Sequence, residues 1–225
     1  MTTLPKGKTN KTRGEETREK LIQVGMKLFS MNGFNGVSMR NLASEAEVNL
    51  ATVGYHFGGK QGLYEAILWK IVEVRDEVMP GMDAVNEQVA RHKAGELTKD
   101  DLVRWFFRQS MLGMIGNPAS VWGVMIINRE LAAPSESYAI LEKEFFAASW
   151  DSMGTLLTAA MPEGTPKEEV LLVGISIIGI ILKFVHPKAY LDRVGWDELT
   201  PDRLEEITEI LCRRVVAFVG CQGAL

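Results

Sequence analysis

The sequence predicts an all-α protein, in which a small N-terminal group of helices precedes a larger helical bundle. Apolar residues recur at every third or fourth position through most of the chain, which is the period of an amphipathic helix, and no stretch alternates apolar and polar residues as a strand does. Glycine and proline separate the helical stretches. The 225 residues, 46% of them hydrophobic, are enough to bury a substantial core.

Long apolar rows predict the first and the fourth helix. The first spans about residues 16–31 and ends at Asn32 and Gly33, because glycine favours the end of a helix. The fourth spans about residues 61–78, and Pro80 breaks it, since proline lacks the N–H that a helix interior needs.

Two short helices are predicted between them. Ser38 is the expected N-cap of a helix that ends near Ala46. Asn49 is the expected N-cap of the next helix, which begins at Leu50 and ends before Gly58. Two short helices joined by a tight turn form a helix-turn-helix, whose second helix lies in the major groove of DNA.

The stretch VGYHFGGKQ, residues 53–61, nearly satisfies the pattern of a nucleotide-binding phosphate loop. Such a loop follows a strand and needs Ser or Thr after its lysine to hold magnesium. Here Gly54 lies inside a predicted helix and Gln61 follows Lys60. The sequence therefore argues against a nucleotide site, and it places Lys60 where its ammonium group can reach a DNA phosphate instead.

Charge is distributed unevenly along the chain. The net charge is −4, but residues 1–70 contain ten basic and six acidic residues, so the rest of the chain carries the negative charge. A basic segment attached to an acidic body indicates two parts with different partners. Residues 1–14 are expected to form a flexible basic arm. Its basic residues, which precede any acidic residue, are Lys6, Lys8, Lys11 and Arg13.

The segment SMRNLASEAEVNLATVGYHFGGKQGLYEAI, with the preceding KLFSMNGFNGVS, resembles the DNA-binding domain of the TetR family of bacterial transcriptional regulators. The resemblance covers roughly residues 15–65 without a gap, and it includes the apolar spacing, the turn, the pair His56-Phe57 and Lys60. It implies a DNA-binding domain over 15–62 and a helical ligand-binding and dimerisation domain over 63–225.

A second resemblance lies in the body. The segment IINRELAAPSESY, residues 126–138, is similar to part of the C-terminal domain of the CecR-like branch of TetR regulators. Together the two resemblances imply a homodimer that binds a palindromic double-stranded DNA operator and responds to a small-molecule effector.

The chain departs from the TetR pattern at two positions. Glu47 stands in the turn where the family usually has glycine, and a positive φ there costs a non-glycine residue about 1 kcal/mol. Gly54 stands where a tyrosine commonly contacts phosphate. Tyr55 and His56 are therefore the better candidates for that contact.

DNA contacts are carried over by position in the resembling segment. Arg40 is expected to read a base or hold a phosphate, because its guanidinium can bind guanine O6 and N7 together. Ala51 and Thr52 are expected to meet thymine methyl groups or a base edge, and the others to hold phosphates. Solvated surface, helix capping and, for His56, packing under the helix are the alternatives. The predicted DNA-binding residues are Ser38, Arg40, Asn49, Ala51, Thr52, Tyr55, His56 and Lys60.

Five longer helices are predicted in the body. Thr200 is the expected cap and Pro201 the first residue of the last one. No constellation of Cys, His or Ser residues indicates an enzyme, so no catalytic residue, metal site or cofactor is predicted. The candidate helices are 99–115, 119–132, 135–160, 167–186 and 201–219.

The run VLLVGISIIGIIL, residues 170–182, is apolar on nearly every side. It is too short to span a membrane, and since the N-terminus has no signal-peptide pattern, a cytoplasmic protein with no membrane contact is expected. A helix this apolar is expected to face another chain as well as its own core, although complete burial within one subunit is the alternative. The predicted dimer-interface residues are Gly174, Ile177, Gly179, Ile181, Leu211 and Val215.

Aromatic residues are concentrated between positions 104 and 150, which contain three of the five Trp and four of the nine Phe. Arg129 lies there in an apolar helix, with Met125 and Ala133 four residues away on either side, so a partner must come from another helix or from a ligand. This pattern predicts an effector cavity, with a solid core as the alternative. Its predicted lining residues are Trp105, Trp122, Asn128 and Arg129.

The sequence thus favours a ligand-responsive homodimeric repressor. A DNA-tethered module that binds another protein and no small molecule is the alternative. An apolar cavity would favour the repressor, whereas an exposed apolar patch on a solid body would favour the module.

Overall fold

The computed structural model describes residues 10–220, and all of their side chains except those of 10–13 and 189. Within this range every regular element is a helix, as the sequence predicts. We refer to the first four helices as the head and to the remainder as the body. The head helices are α1 (Asn10–Gly36), α2 (Met39–Glu45), α3 (Leu50–Phe57) and α4 (Lys60–Glu73).

Within the described residues, the body contains nine further helices, one short π-helical segment and one 3₁₀ turn. A π-helical segment, Leu141–Phe146, joins α9 to α10, and a 3₁₀ turn, Lys183–Val185, follows α11. The helices are α5 (Arg75–Val78), α6 (Met82–Lys93), α7 (Lys99–Ile115), α8 (Pro118–Ala132), α9 (Tyr138–Ile140), α10 (Ala147–Ala160), α11 (Lys167–Leu182), α12 (Lys188–Val194) and α13 (Pro201–Gly220).

Some boundaries differ from the predicted ones. Helix α1 begins at Asn10 rather than near residue 16, so residues 10–14 of the predicted flexible arm 1–14 are helical; residues 1–9 lie outside the described range. The predicted fourth helix is divided at Val74, where φ is −94° and ψ is 13°. Helices α6 and α12 were not predicted. Helix α6 has few apolar residues, and α12 lies in a stretch that the sequence indicated as a loop.

The helix caps follow the prediction from local chemistry. The Ser38 hydroxyl accepts from Asn41 N–H at 3.1 Å, and Asn49 Oδ1 accepts from Ala51 N–H at 3.0 Å. Helix α1 is kinked at Gly33, whose φ of 72° lies in the left-handed region. The Ser38 hydroxyl and Asn49 Oδ1 satisfy backbone N–H groups that the start of a helix leaves without partners.

The head does not close its own core. Its buried apolar residues, from Leu21 in α1 to Ile71 in α4, pack in one cluster with four residues of the body. Two of these lie on α8 and two on the π-helical segment: Ile126, Ile127, Leu141 and Phe145. A second cluster fills the body between α6, α7, α10, α11 and α13. The head is therefore seated on α8 by shared apolar packing.

None of the helices within residues 10–220 is by itself long and apolar enough to cross a membrane. Helices α7 and α8 meet the length and hydropathy requirement only when they are joined, and they are bent by 95°.

Glu47 has the strained backbone that the sequence raised as a possibility. Its φ is 55°, and no other non-glycine residue in the described range has a positive φ. Its carboxylate accepts from Lys20 Nζ at 2.8 Å, and this hydrogen bond and the lysine charge lower the pKa of Glu47.

We expect Glu47→Gly to melt about 2–4 °C above Glu47→Ala, because both variants lose the contact with Lys20 and only glycine relieves the left-handed backbone. Thermal unfolding followed by circular dichroism measures the difference. Equal melting temperatures would show that the turn is not strained.

Candidate DNA-binding surface and internal cavity

The outer side of α3 is the surface that a helix-turn-helix presents to DNA. Leu50, Ala51, Gly54 and Tyr55 are exposed there, and Tyr55 has an exposed fraction of 86%. On the opposite side Val53 is fully buried and fixes the helix to the head. A Cβ atom at Gly54 would meet nothing within 4 Å, so the outer side of α3 is open at this position.

The polar residues predicted to contact DNA fall into two groups. Ser38 and Asn49 use their side-chain oxygens as helix caps, which fixes where α2 and α3 begin. Arg40 is exposed on α2, and no hydrogen bond or ion pair of its side chain is found within the described residues. Its guanidinium is therefore available to a base or a phosphate.

Aromatic rings contact two of the remaining candidates, Lys60 and His56. Lys60, at the start of α4, places its ammonium 4.6 Å from the centre of the Phe34 ring. His56 is half-buried, with ring centres 5.2 Å from Tyr55 and 6.1 Å from Phe57. Thr52 is also half-buried on α3. In the usual docking of this motif the duplex lies across the two helices of the helix-turn-helix, here α2 and α3.

A cavity of about 380 Å³, open to solvent beside Leu131, Trp150 and Ile175, lies in the body among α8, α10 and α11. Its wall is almost entirely apolar. Ser149 donates to the carbonyl oxygen of Phe145 at 2.8 Å, and within the described residues Asn128 shows no side-chain hydrogen bond. The lining residues are Val78, Met79, Met114, Val124, Ile127, Asn128, Leu131, Phe145, Phe146, Ser149, Trp150, Ile175, Ile178, Gly179 and Leu182.

Of the four residues predicted to line a cavity, only Asn128 does so. Trp105 packs against the body core and Trp122 against the head core. Arg129 is exposed, and it donates from Nε to the carbonyl oxygen of Ser30 at 3.0 Å and from Nη2 to that of Met31 at 2.9 Å. The partner that the sequence required for Arg129 is therefore the pair of carbonyl groups that precede the kink of α1 at Gly33. The aromatic stretch does supply Phe145, Phe146 and Trp150 to the wall.

The buried charge on α8 belongs to Glu130, which the sequence analysis did not select. Its side chain is only 3% exposed and accepts from the hydroxyl of Tyr64 at 2.7 Å. Its other oxygen accepts from the backbone N–H and the hydroxyl of Ser135, at 3.0 and 2.9 Å. Burial, together with the hydrogen bond to Glu130, raises the pKa of Tyr64 far above its usual value, so the phenol remains a donor.

The predicted interface residues lie mostly within their own subunit. Ile177, Ile181 and Val215 are at most 1% exposed, and a Cβ atom at Gly174 would collide with Met153. Gly179 lines the cavity, and Leu211 is half-buried. The exposed apolar residues of these helices are others: Leu171, Leu172 and Ile175 on α11, and Ile210 and Phe218 on α13. We call these five residues the outer apolar face.

This head, with an exposed recognition helix on a separate helical body, defines a helix-turn-helix DNA-binding protein. Residues 21–67 match the family described as bacterial regulatory proteins, tetR family. Residues 100–220 match the C-terminal domain of the HTH-type transcriptional dual regulator CecR, and this match alone spans more than half of the chain.

Individual relatives agree with this match. The HTH-type transcriptional dual regulator CecR of Shigella flexneri is 23% identical over 199 residues, which are 88% of each chain. The probable HTH-type transcriptional regulator YttP of Bacillus subtilis (strain 168) is 32% identical over 91 residues. The chain spans 41% of the length of YttP, and the match covers 40% of this chain.

Solved structures show the same fold at low sequence identity. HlyIIR, a hemolysin II transcriptional regulator, has a TM-score of 0.60 and 19% identity, over 93% of this chain and 99% of that chain. AibR, in complex with isovaleryl coenzyme A and operator DNA, has a TM-score of 0.65 and 15% identity, over 88% and 97%. The chain belongs to the TetR family, with a C-terminal domain of the CecR type. It is a DNA-binding transcriptional regulator.

Proposed function

We propose that the protein is a homodimeric repressor that releases a palindromic operator when a neutral, mainly apolar or aromatic molecule occupies the cavity in its body. The observation that supports this proposal is the cavity itself. It has the size and apolar lining of a small-molecule site, and a single uncommitted amide, that of Asn128, can orient the occupant.

The lining also limits the chemistry of the effector. Among the residues that the structure describes, none of the side chains that line the cavity is charged, and an unpaired charge is costly to bury. The AibR structure contains an acyl coenzyme A, but the wall of this cavity offers no lysine or arginine to its phosphate groups. A neutral ring system with one hydrogen-bonding group near Asn128 therefore fits better.

Compounds that raise the melting temperature of the parent protein identify candidate effectors and should release DNA. Ser149→Leu should abolish binding of these compounds by filling the cavity. Asn128→Leu should weaken their affinity about five- to tenfold through one lost hydrogen bond. Trp122→Phe, outside the cavity, is the control. Ligand titrations by calorimetry measure each affinity. Hits that bind the folded Ser149→Leu protein as tightly as the parent would place the effector elsewhere.

For the DNA contacts, we propose that Arg40 reads a base and that Lys60 holds a phosphate. Arg40 is exposed and without a partner in the described residues, whereas Lys60 is fixed beside Phe34 at the start of α4. Ala51, Thr52 and Tyr55 would complete the contact surface of α3, with His56 beside them. Ser38 and Asn49 would contribute through the helix starts that they cap.

Arg40→Ala should relax base preference at one position in each half-site and weaken specific binding by about 1–3 kcal/mol. Lys60→Ala should weaken binding to all sequences alike and reduce the dependence on salt. Fluorescence titrations on operator and random duplexes, at several salt concentrations, separate the two effects. An equal loss of affinity for both duplexes in Arg40→Ala would show that Arg40 contacts a phosphate and does not read a base.

We propose that two copies associate through the outer apolar face. Leu172 is 63% exposed and Phe218 is 48% exposed, on the two long helices at the end of the chain. Leu171, Leu172 and Ile175 are exposed within five residues of α11, and a contiguous exposed apolar patch is typical of a protein–protein contact. A dimer places two recognition helices about 34–36 Å apart, or a multiple of this distance, on a palindrome.

Leu172→Asp should convert the dimer into a folded monomer, because the exposed position tolerates a charge only when no partner covers it. Leu50→Asp, at a leucine on the head that is 45% exposed against 63% for Leu172, is the control and should remain dimeric. Light scattering measures the mass. A parent that is monomeric would instead favour the alternative function, in which the outer apolar face binds a different protein.

A further inference from the structure

Three consecutive residues of α8 contact three different parts of the molecule. Asn128 lines the cavity. Arg129 binds α1 just before its kink at Gly33, and Glu130 binds Tyr64 of α4. One turn of helix therefore connects the cavity wall to both of the helices that carry the helix-turn-helix.

The contact of Arg129 is a directed one. The last carbonyl groups of a helix have no intrahelical donor and form the negative end of the helix dipole. Helix α1 bends at Gly33, just after Ser30 and Met31, and the guanidinium donates to both carbonyls from two of its nitrogens. Gly33 has a φ of 72°, which glycine adopts without strain, and a Cβ atom there would be in ordinary contact with Nη1 of Arg129, at 3.4 Å.

The contact of Glu130 is buried and therefore more demanding. A carboxylate that is 3% exposed must keep its hydrogen bonds, because an unsatisfied buried charge is strongly destabilising. Tyr64 supplies one of them. A second link joins α4 to the segment after α8, where Gln61 donates to Ser137 at 2.7 Å and Ser137 donates to Glu65 at 3.1 Å.

We propose that Arg129 and Glu130 are positioning residues for operator recognition, which hold the head at one orientation on α8 and so set the separation of the two recognition helices. The inference rests on the proposed dimeric repressor. The apolar packing of Ile126 and Ile127 attaches the head to α8, but apolar contacts have no direction. Hydrogen bonds to fixed carbonyl and hydroxyl groups do have a preferred direction.

The same arrangement explains how the cavity would act on DNA. Asn128 immediately precedes the two positioning residues. An occupant that moves the wall of the cavity at this turn would therefore also move Arg129, which binds the carbonyl groups of α1, and the Glu130 carboxylate, which accepts from Tyr64. The ligand would then favour a head separation that does not fit the operator, to the extent of its differential affinity for the two arrangements.

The test compares palindromes whose half-sites are separated by increasing numbers of base pairs. The parent should prefer one spacing. Arg129→Gln, Glu130→Gln and Tyr64→Phe should lose at least about fivefold in affinity for that spacing while binding a single half-site within about twofold of the parent. Arg129→Lys, which keeps a donor, should recover part of the preference. Arg203→Gln, which removes an arginine-to-carbonyl contact far from the head, is the matched control.

The outcomes separate the inference from the function on which it rests. A dimeric parent whose folded variants keep its spacing preference would overturn the positioning role alone. Variants that lose half-site and palindrome binding in parallel with melting temperature would assign the residues to stability, and would also overturn it. A parent with no preferred spacing would overturn the dimeric repressor and the positioning role together.

Discussion

The packing of α1 and α4 onto α8 is the constraint on which the rest of the structure depends. A head of about 60 residues can bury only about 60% of its unfolded surface and is marginally stable alone. Its core is completed by Ile126 and Ile127 of α8 and by Leu141 and Phe145. The recognition helix is thus supported by residues of the body, and any movement of α8 reaches the head through its core.

The two polar contacts between the head and α8 differ in the free energy that breaking them costs. Arg129 is exposed, so water can replace its hydrogen bonds to α1 at little expense. Glu130 is buried, and its carboxylate would lose acceptor contacts that no water replaces. The boundary between the head and α8 therefore has one exposed contact, that of Arg129, which water can replace. It also has one buried pair, Glu130 and Tyr64, which resists separation.

Sequence reasoning was accurate where the determining interaction is local. Ser38 and Asn49 cap helices within three residues of themselves, and Glu47 adopts the positive φ that its place in the turn requires. It failed where the partner is remote in sequence. The carbonyls bound by Arg129 are 98 and 99 residues away, and no spacing rule indicates them.

The same limit applies to the apolar helix α11. Its composition indicates that more than one side is covered, but periodicity cannot assign the sides when nearly every residue is apolar. The structure directs Ile177 and Ile181 inward and leaves Leu172 exposed. Gly179, chosen from sequence as a point of close helix approach, borders the cavity instead.

In the proposed dimer, the cavity borders both of the surfaces that would determine where the two recognition helices lie. Ile127 and Phe145 belong to its wall and also to the core beneath the head. Ile175 belongs to its wall and also to the outer apolar face, where it is 47% exposed. In a dimer built on that face, an occupant would contact at once a residue that supports the head and a residue that faces the partner. The angle between head and body and the angle between subunits would then change together, so a small displacement of the wall is sufficient to alter the distance between the two heads.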